Sequence, residues 1–361
     1  MTASDIYPLP TVPEEVTASW LGKVLGQNVK SAELTHSVLN ATASKLFFTI
    51  EYEDDKNEED RARHVCIKGG FNPAMLAVEG YKDLLIAAYT NEAMFFSVVA
   101  PTLSHISLPK VWWAGNKGEQ GILVMEDLNH AGFTFGNPQD VWSAARVKRG
   151  VEQLAALHAS TWGYSYTDYP WITPSYEGMM MALTDMWDAQ IHGADRPPCP
   201  DIIKNSRERT VAAIKKHFAT KNPKFMSLIH GDPHTGNAYL DKAGNPRFLD
   251  WQTFHIGSPF HDLAYFVIGA MSVEDRRTHE VDIIGHYLEA LASFGGPSLS
   301  TKDEDVMKEY SKATMAGMGW ILTPYDLQLK ERVFPMCERY GAAIVDHKAI
   351  ELVESLPDPE C

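Results

Sequence analysis

The most restrictive feature of the sequence is a polar stretch, His-Gly-Asp-Pro-His-Thr-Gly-Asn at residues 230–237, that directly follows an apolar run at residues 225–229. The apolar run has the composition of a buried strand, so the polar residues fall in the loop where that strand ends. Residues 241–246 then contain the Gly, Asn and Pro typical of a turn between two short strands. We therefore predict a hairpin that folds Asp250 back beside Asn237.

Three polar side chains would converge at the end of this hairpin, namely Asp232, Asn237 and Asp250. Two carboxylates and one amide oxygen form a set of hard ligands, which suits Mg²⁺ better than zinc. The alternative is a polar hairpin that carries no site, but three separate spacings would then have to agree by chance. The spacing therefore favours a magnesium-dependent active site.

The order of these residues resembles the phosphoryl-transfer arrangement of protein kinases, in which an Asp, an Asn five positions later and a second Asp after a hairpin act together. With Asp250-Trp251 as the second element, the variant in this chain is similar to the aminoglycoside phosphotransferase and choline kinase group, including the ecdysteroid kinase-like proteins. The resemblance implies an ATP- and Mg²⁺-dependent transfer of phosphate to a hydroxyl of a small molecule. It also implies that Asp232 orients or deprotonates the acceptor hydroxyl, while Asn237 and Asp250 hold Mg²⁺ against the ATP phosphates.

The same resemblance implies an α+β fold of the two-lobed protein-kinase type. Residues 1–127 would form a small nucleotide-binding lobe with a five-stranded antiparallel sheet, and residues 128–361 a larger, mainly helical lobe for catalysis and acceptor binding. Alternating apolar residues in the first third of the chain agree with strands, and helical periodicity dominates the last third. We expect a helix that opens at Pro13 and a long helix from about Pro138 to Thr161.

Candidate nucleotide-binding residues lie in the first lobe. Lys68 ends a predicted strand before two glycines, and it is the best candidate for a lysine that contacts ATP phosphates. By resemblance, Glu92 would pair with Lys68 from an apolar-periodic helix, and the backbone of Glu126 and Leu128 would bind adenine. The alternatives are a surface lysine at a strand end and an exposed helix glutamate.

The segment that should close over the phosphates departs from the kinase pattern. Kinases usually have glycines there, whereas residues 36–44 contain none. Small residues such as Ala41, Ala43 and Ser44 could still let backbone N–H groups approach a phosphate, and Asn40 tolerates a positive φ. We therefore expect Ser44 to contact the nucleotide.

Further residues are expected to support the site rather than to react. His158 should brace the catalytic loop, and Asp262, near the start of a helix, should accept backbone N–H bonds and by resemblance buttress the same loop. Residues 162–200 are rich in Trp, Tyr and Met, which would suit a cover over a pocket for a lipophilic alcohol. The alternative is a helix that packs its apolar stripe on the lobe.

Composition limits the partners and the compartment. The 361 residues carry 32 basic and 47 acidic side chains, a net charge of −15, which argues against a general affinity for nucleic acid or anionic membranes. Four widely separated cysteines argue against a zinc site or a disulfide framework. The N-terminus lacks the features of a signal peptide, and we expect no membrane span and a cytoplasmic protein. The oligomeric state is not predicted.

Two other functions are compatible with parts of the sequence. A metal-dependent hydrolase could use His230, Asp232 and His234, with His255 and His261 nearby in sequence. A binding module on a kinase fold, with weak or no catalysis, is favoured only by the missing glycines of the phosphate loop. Bound zinc would indicate the hydrolase, and nucleotide binding without turnover would indicate the binding module.

Overall fold

The computed structural model describes residues 8–39, 42–54, 61–78, 82–173 and 175–358. The chain divides into two compact units. The first unit comprises Met1–Leu103, Leu108–Thr134 and Leu249–Phe254, and the second comprises Ser104–Ser107, Phe135–Phe248 and His255–Cys361. The short segment at 249–254 therefore packs with the first third of the chain, far from it in sequence.

A five-stranded antiparallel sheet forms the framework of the first unit. Its strands are β1 (Val29–Val38), β2 (Ser44–Tyr52), β3 (His64–Gly69), β4 (Val111–Lys117) and β5 (Gln120–Glu126), in the order β1-β2-β3-β5-β4. In β2, buried residues alternate with more exposed ones, as expected of a strand with one face on a core. That face, with Leu46, Phe48 and Ile50, packs on a cluster that includes Trp20 and Leu21.

The helix expected at Pro13 begins later in the chain. Pro13–Glu15 forms only a single 3₁₀ turn, and helix α1 covers Ala18–Leu25. The reason is local capping, because the Thr17 side chain accepts a hydrogen bond from the backbone N–H of Trp20. At the other end Gly26 adopts the left-handed conformation, with φ of 66°, which ends the helix.

Helix α2 (Lys82–Met94) packs against β5 and carries Glu92. It continues into a π-helical turn, Phe95–Val99, and a 3₁₀ turn, Ala100–Thr102. Of the described residues, the stretch Lys82–Thr102 alone is long and apolar enough to cross a membrane, with 21 residues and a mean hydropathy of 1.3. A single stretch of this kind is weak evidence for a span, since a buried core helix passes the same criterion.

The second unit is mainly helical. Its helices are α3 (Ala144–Ser160), α4 (Ser175–Asp185), α5 (Trp187–Ile191), α6 (Asp201–Lys204), α7 (Arg207–Ala219), α8 (Pro259–Ala270), α9 (Val273–Ser293), α10 (Glu304–Ala313), α11 (Met318–Leu322), α12 (Lys330–Asp346) and α13 (Ala349–Ser355). The prediction that the long helix starts near Pro138 was wrong by six residues. Ser143 caps α3 by accepting the N–H of Arg146, so the chain before it turns instead of extending the helix.

Short strands flank the predicted catalytic loop, residues 230–237. Strand β7 (Ser227–Ile229) pairs with β10 (His255–Gly257), while β6 (Thr134–Phe135), β8 (Ala238–Leu240) and β9 (Pro246–Phe248) form a second small sheet. Ala238 pairs with Phe248, so the predicted hairpin after residue 237 is present.

Helix α8 is the centre of the second unit. All twelve of its residues are buried, and it packs against α3, α9, α10 and α12. Its side chains therefore lie in a medium that contains little water, where polar groups need internal partners. The sheet of the first unit and the helices of the second confirm the predicted α+β kinase-like fold.

Candidate active site

The loop after β7 brings Asp232 and Asn237 into direct contact. The Nδ2 amide of Asn237 donates to the backbone oxygen of Asp232 at 3.0 Å and to its Oδ2 at 3.1 Å. The turn that makes this contact possible contains Gly231, which has a φ of 87°. The Asp232 side chain is 30% exposed, so its carboxylate remains accessible to a ligand.

Asp262 on α8 holds the first residues of this loop. One carboxylate oxygen accepts the backbone N–H of His230 at 2.6 Å and the other accepts that of Gly231 at 2.9 Å. His158 lies 3.2 Å from Oδ2, and its other ring nitrogen contacts the Tyr287 hydroxyl at 2.9 Å. Burial alone would raise the pKa of Asp262, but the hydrogen bond from His158 and the neighbouring imidazoles lower it to about 2. Asp262 therefore stays ionised and fixes the loop.

Three buried tyrosines lie near enough to Asp232 for its charge to act on them, and sequence reasoning missed two of them as site residues. The Tyr265 hydroxyl donates a hydrogen bond to Asp232, and burial together with the Asp232 charge raises the pKa of Tyr265 well above its usual value. Burial and the Asp232 charge also raise the pKa of Tyr176. Tyr340 donates its hydroxyl to the backbone oxygen of Tyr265 at 2.6 Å. The position of Tyr265 three residues after Asp262, on the helix that supports the loop, is the signal that could have identified it.

Lys68, at the end of β3 in the first unit, makes two ion pairs. Its Nζ lies 2.7 Å from Oε2 of Glu92 and 2.9 Å from Oδ1 of Asp250. Burial disfavours the charged ammonium, but the carboxylates of Asp250 and Glu92 outweigh it and raise the pKa of Lys68 above its ordinary value. The lysine is buried and is not a surface side chain.

Glu92 also holds the segment that contains Asp250. Its Oε1 accepts the backbone N–H of Trp251 at 3.2 Å. Burial raises the pKa of Glu92, and the nearby Asp250 carboxylate raises it further. The ammonium of Lys68 acts in the opposite direction but does not cancel the rise. One ammonium thus faces two carboxylates, an arrangement with surplus negative charge that suits a further cation.

Asp250 has an unusual backbone conformation, with φ of 66° and ψ of 63°. A residue with a side chain rarely adopts this left-handed conformation, which costs free energy unless its surroundings hold it. Asn91 of α2 and Phe95 of the π-helical turn that follows it supply that support in the first unit. Asn91 donates its Nδ2 to the Gln252 backbone oxygen at 3.1 Å, and the Phe95 and Trp251 rings stack.

Gln120 is a supporting residue that the sequence analysis missed. This buried side chain accepts the N–H of Gly70 at 2.8 Å and donates to the backbone oxygens of Pro10 and Gly70. A side chain at Gly70 would collide with the Tyr89 ring, only 2.4 Å from where its Cβ would lie. These contacts fix the chain immediately after Lys68. A buried glutamine at the start of a strand gives no sequence signal of this role.

The other predicted nucleotide contacts lie in the first unit. Ser44 starts β2 opposite Gly69 and is 1% exposed, and its hydroxyl has no hydrogen-bond partner among the described residues. Glu126 ends β5, and its N–H donates to the Lys110 oxygen at 2.9 Å. The Leu128 oxygen accepts the N–H of Phe133 at 3.0 Å. Asn40 and Ala41 of the glycine-free segment lie outside the described residues, as do residues 55–60.

Each unit carries donor groups that fit the expected cofactors. Both contacts of the Asn237 amide nitrogen are to Asp232, which leaves its side-chain oxygen as the group suited to a metal ion. Asp250 provides a carboxylate that is 36% exposed and lies beside a single lysine. The unpartnered Ser44 hydroxyl and the Lys68 ammonium are groups that bind phosphate oxygens. The residues present therefore fit Mg²⁺ and a nucleoside triphosphate.

The hydrolase alternative finds no support in the geometry. The histidines near Asp232 are engaged with the backbone, since His261 donates its Nε2 to the Gly231 oxygen at 3.0 Å and His234 accepts the Gly236 N–H. Within the described parts of the chain, no group of three or more His, Cys, Asp or Glu side chains is arranged to hold a metal ion. A zinc site of the kind expected from His230, Asp232 and His234 is thus not formed.

The packing of residues 162–200 follows the simpler of the two interpretations. Tyr176, Met180, Leu183, Trp187 and Ile191 are all buried, and their spacing places them on one helical face. This stripe packs within the second unit. Tyr176 also donates its hydroxyl to the Ala316 oxygen at 3.1 Å, which fixes this stripe to the segment before α11.

Comparison with known proteins agrees with this geometry. The sequence model of the ecdysteroid kinase-like family matches residues 43–294, which is more than half of the chain. No curated protein sequence matches the chain.

Solved structures that match this chain include small-molecule kinases. An amicoumacin kinase in complex with AMP-PNP, Ca²⁺ and Ami is 14% identical, with a TM-score of 0.53 and 96% of each chain covered. A Plasmodium vivax ethanolamine kinase is 11% identical, with a TM-score of 0.49 and coverage of 91% of this chain and 85% of that chain. At 14% identity the amicoumacin kinase shows a shared fold alone, whereas the family model, which covers more than half of the chain, shows the family. The chain belongs to the ecdysteroid kinase-like family.

Proposed function

We propose that the protein is a small-molecule kinase that transfers the γ-phosphate of ATP to an alcohol, with Mg²⁺ as a cofactor. The observation that carries the proposal is the buried Lys68, paired with Glu92 at 2.7 Å and with Asp250 at 2.9 Å, in a chain of this family. Burying a charged group is costly, and an ammonium shared by two buried or half-buried carboxylates favours a functional site over a purely structural pair. Such a lysine is suited to binding phosphate oxygens.

In this proposal Asp232 acts on the acceptor. The hydroxyl oxygen forms a bond to the γ-phosphorus, the bond from that phosphorus to the bridging oxygen of ADP breaks, and the hydroxyl proton passes to Asp232. Asn237 supports this role because its amide fixes the Asp232 carboxylate at 3.1 Å. Asp262 supports it indirectly by holding the backbone of the preceding residues.

The nucleotide would be bound by residues of the first unit. Lys68 and Ser44 are proposed to contact its phosphates, Glu92 to position Lys68, and the backbone of Glu126 and Leu128 to bind adenine. The Leu128 N–H makes no hydrogen bond to another described residue, as a group that receives a ligand should. We assign Asn237 and Asp250 as the ligands of Mg²⁺, which when bound would neutralise phosphate charge.

We further propose that the acceptor is a lipophilic alcohol. The support is the aromatic character of the side chains around Asp232, which include Tyr176, Tyr265 and Tyr340. The His234 ring next to Asp232 contacts the Trp320 ring edge to face, with centroids 5.2 Å apart. Buried aromatic side chains around a site keep water away from it, which favours apolar ligands over highly hydrated ones.

The test is a thermal shift measurement followed by a transfer assay. The melting temperature should rise with ATP and Mg²⁺ together, and much less with either alone, because binding to the native state stabilises it. ADP formation should then be measured with a panel that includes linear alcohols of increasing length, a sterol and ethanolamine.

The outcomes separate the alternatives. Turnover that rises with acceptor lipophilicity supports the full proposal, and turnover with ethanolamine alone would retain the kinase but contradict the lipophilic acceptor. Mg²⁺-dependent nucleotide binding without ADP formation on any acceptor would favour a kinase-fold binding module. The absence of any shift at saturating ATP and Mg²⁺ would overturn the proposal.

A further inference from the structure

His234 has a defined tautomer, which follows from a backbone contact. Its Nδ1 accepts the backbone N–H of Gly236 at 3.0 Å and thereby caps the short 3₁₀ turn Thr235–Asn237. A backbone N–H can only donate, so Nδ1 cannot carry a proton. A neutral imidazole with an unprotonated Nδ1 must carry its hydrogen on Nε2.

The Nε2–H group faces the carboxylate of Asp232. The distance from Nε2 to Oδ2 of Asp232 is 3.6 Å. Oδ2 is also the oxygen that accepts the Asn237 amide at 3.1 Å. Two N–H groups from the same loop therefore point to one oxygen of this carboxylate. Catalytic contacts often tighten only in the reacting complex, so a distance of 3.6 Å is compatible with a hydrogen bond there.

The surroundings of His234 leave its ring little freedom. The side chain is only 5% exposed, and the Trp320 ring meets it nearly perpendicularly. Gly236 approaches the ring so closely that a Cβ there would lie 2.8 Å from Cε1 of His234. The backbone N–H of His234 also donates to the backbone oxygen of Asp232 at 2.9 Å. The ring is thus held by packing and by hydrogen bonds in the orientation that directs Nε2 to Asp232.

We propose that His234 is a positioning residue for Asp232, whose Nε2–H group fixes the orientation of the carboxylate that receives the proton of the acceptor hydroxyl. This role rests on the proposed kinase function. It differs from a direct catalytic role because His234 acts on the orientation of Asp232 and not on the acceptor or the nucleotide. It also differs from a purely structural role. For that role, Nδ1 would only have to accept the Gly236 N–H that caps the turn, and the Nε2–H group would have no function.

Two substitutions separate the functions of the two ring nitrogens. His234→Asn keeps an acceptor near the position of Nδ1 for the Gly236 N–H but removes the donor that faces Asp232. His234→Gln places an amide N–H near the position of Nε2 but cannot cap the turn in the same way. His286→Gln, at a pair with Glu152 on the surface of the second unit, is the matched control.

The assay is ADP formation from Mg·ATP, with water as acceptor and then with the best alcohol. We expect His234→Asn to lower kcat on the order of 10- to 100-fold with an unchanged KM for ATP, because misplacing a reacting group by about 1 Å has effects of this size. His234→Gln should recover most of the activity, and His286→Gln should match the wild type. Equal activity of His234→Asn and wild type, or equal loss in both His234 variants, would overturn the proposal.

A second measurement does not depend on turnover. In ¹⁵N-histidine-labelled protein, long-range ¹H–¹⁵N spectra should show His234 as the Nε2–H tautomer at neutral pH, identified by the signals missing in His234→Gln. A proton on Nδ1 would overturn the proposal even if the protein is an active kinase. Wild-type protein that forms no ADP with any acceptor would instead refute the proposed function. An active wild type with an equally active His234→Asn variant would refute only the role of His234.

Discussion

The rings of Phe95 and Trp251 stack with centroids 4.0 Å apart and an angle of 6° between their planes. Phe95 lies in the π-helical turn after α2, and Trp251 directly follows Asp250. Because the Trp251 N–H also bonds to Glu92, the stack connects the helix that carries Glu92 to the segment that carries Asp250. This contact holds the left-handed backbone of Asp250 in place.

Phe95→Ala should therefore destabilise the protein and weaken Mg·ATP binding together. Removing a fully buried phenylalanine typically costs about 3–5 kcal/mol of unfolding free energy. Urea denaturation and the ATP- and Mg²⁺-dependent thermal shift measure the two effects. Val98→Ala, at a side chain of the same turn that is 45% exposed, is the control and should change the unfolding free energy by less than about 0.5 kcal/mol. A stable Phe95→Ala protein with normal nucleotide binding would show that the Phe95–Trp251 stack does not hold the segment that carries Asp250.

Lys68→Met should be more destabilising than Glu92→Gln. Loss of the ammonium leaves the buried Glu92 carboxylate without its partner, a change that typically costs about 3–5 kcal/mol. In Glu92→Gln, Lys68 keeps its ion pair with Asp250, and the amide oxygen can still accept the Trp251 N–H. The two unfolding free energies from urea titrations decide the order. Equal losses of unfolding free energy in the two variants would contradict the larger contribution assigned to Lys68.

Asp232→Ala should abolish transfer but preserve nucleotide binding, because the proposed role of Asp232 concerns the acceptor. Loss of a general base typically lowers the rate 10²- to 10⁴-fold. ADP formation and the thermal shift with Mg·ATP measure the two properties. Asp188→Ala, at an exposed ion pair with Arg207, serves as the control for removing a carboxylate from the second unit. Unchanged turnover in Asp232→Ala would reject the assignment.

Asp250→Ala should lose the effect of Mg²⁺ on nucleotide binding. The carboxylate is the proposed metal ligand of the first unit, so the melting temperature with ATP should no longer respond to Mg²⁺. Asp282→Ala, which removes an exposed partner of Lys148, should respond as the wild type does. A normal Mg²⁺ response in Asp250→Ala would remove this residue from the metal site.

The stability of the second unit should fall as the pH drops below about 6.5. Burial lowers the pKa of His261, and burial with the nearby Lys312 charge lowers the pKa of His217. When the pH is above the pKa of these histidines in the unfolded chain, they are neutral in the folded and the unfolded state, and the free energy of unfolding has its full value. Below it the unfolded chain binds protons that the folded chain does not, which costs up to about 1.4 kcal/mol per pH unit for each proton. His217→Gln should reduce the slope of unfolding free energy between pH 7.5 and 5.5, and an unchanged slope would contradict this account.

The hairpin after residue 237 and the five-stranded sheet were predictable because their signals are local. Alternation of apolar residues in β2 and the turn residues at 241–246 each act within a few positions of the chain. Helix boundaries were less predictable. Side-chain caps at Thr17 and Ser143 set the starts of α1 and α3, whereas the apolar periodicity extends into the residues before them.

The supporting residues of the site could not be predicted from spacing. Gln120 contacts Gly70, and Asn91 contacts Gln252, across 50 and 161 positions of the chain. Tyr265 reaches Asp232 only because α8 is buried at the centre of the second unit. Such contacts depend on how elements distant in sequence pack, and a pattern of apolar residues carries no information on which partner a buried polar group meets.

The sequence by itself indicated the family, which the family model confirms, and it supplied the residues proposed for the site, since Asp232, Asn237 and Asp250 are fixed in identity and spacing by one short stretch of chain. The tertiary structure decided how those groups are held. Asp262 reaches the loop from α8, and Lys68 reaches Asp250 across 182 positions. A buried charge is stable only when packing supplies its partner, so the ionisation and orientation of these side chains are properties of the folded chain and not of any local segment.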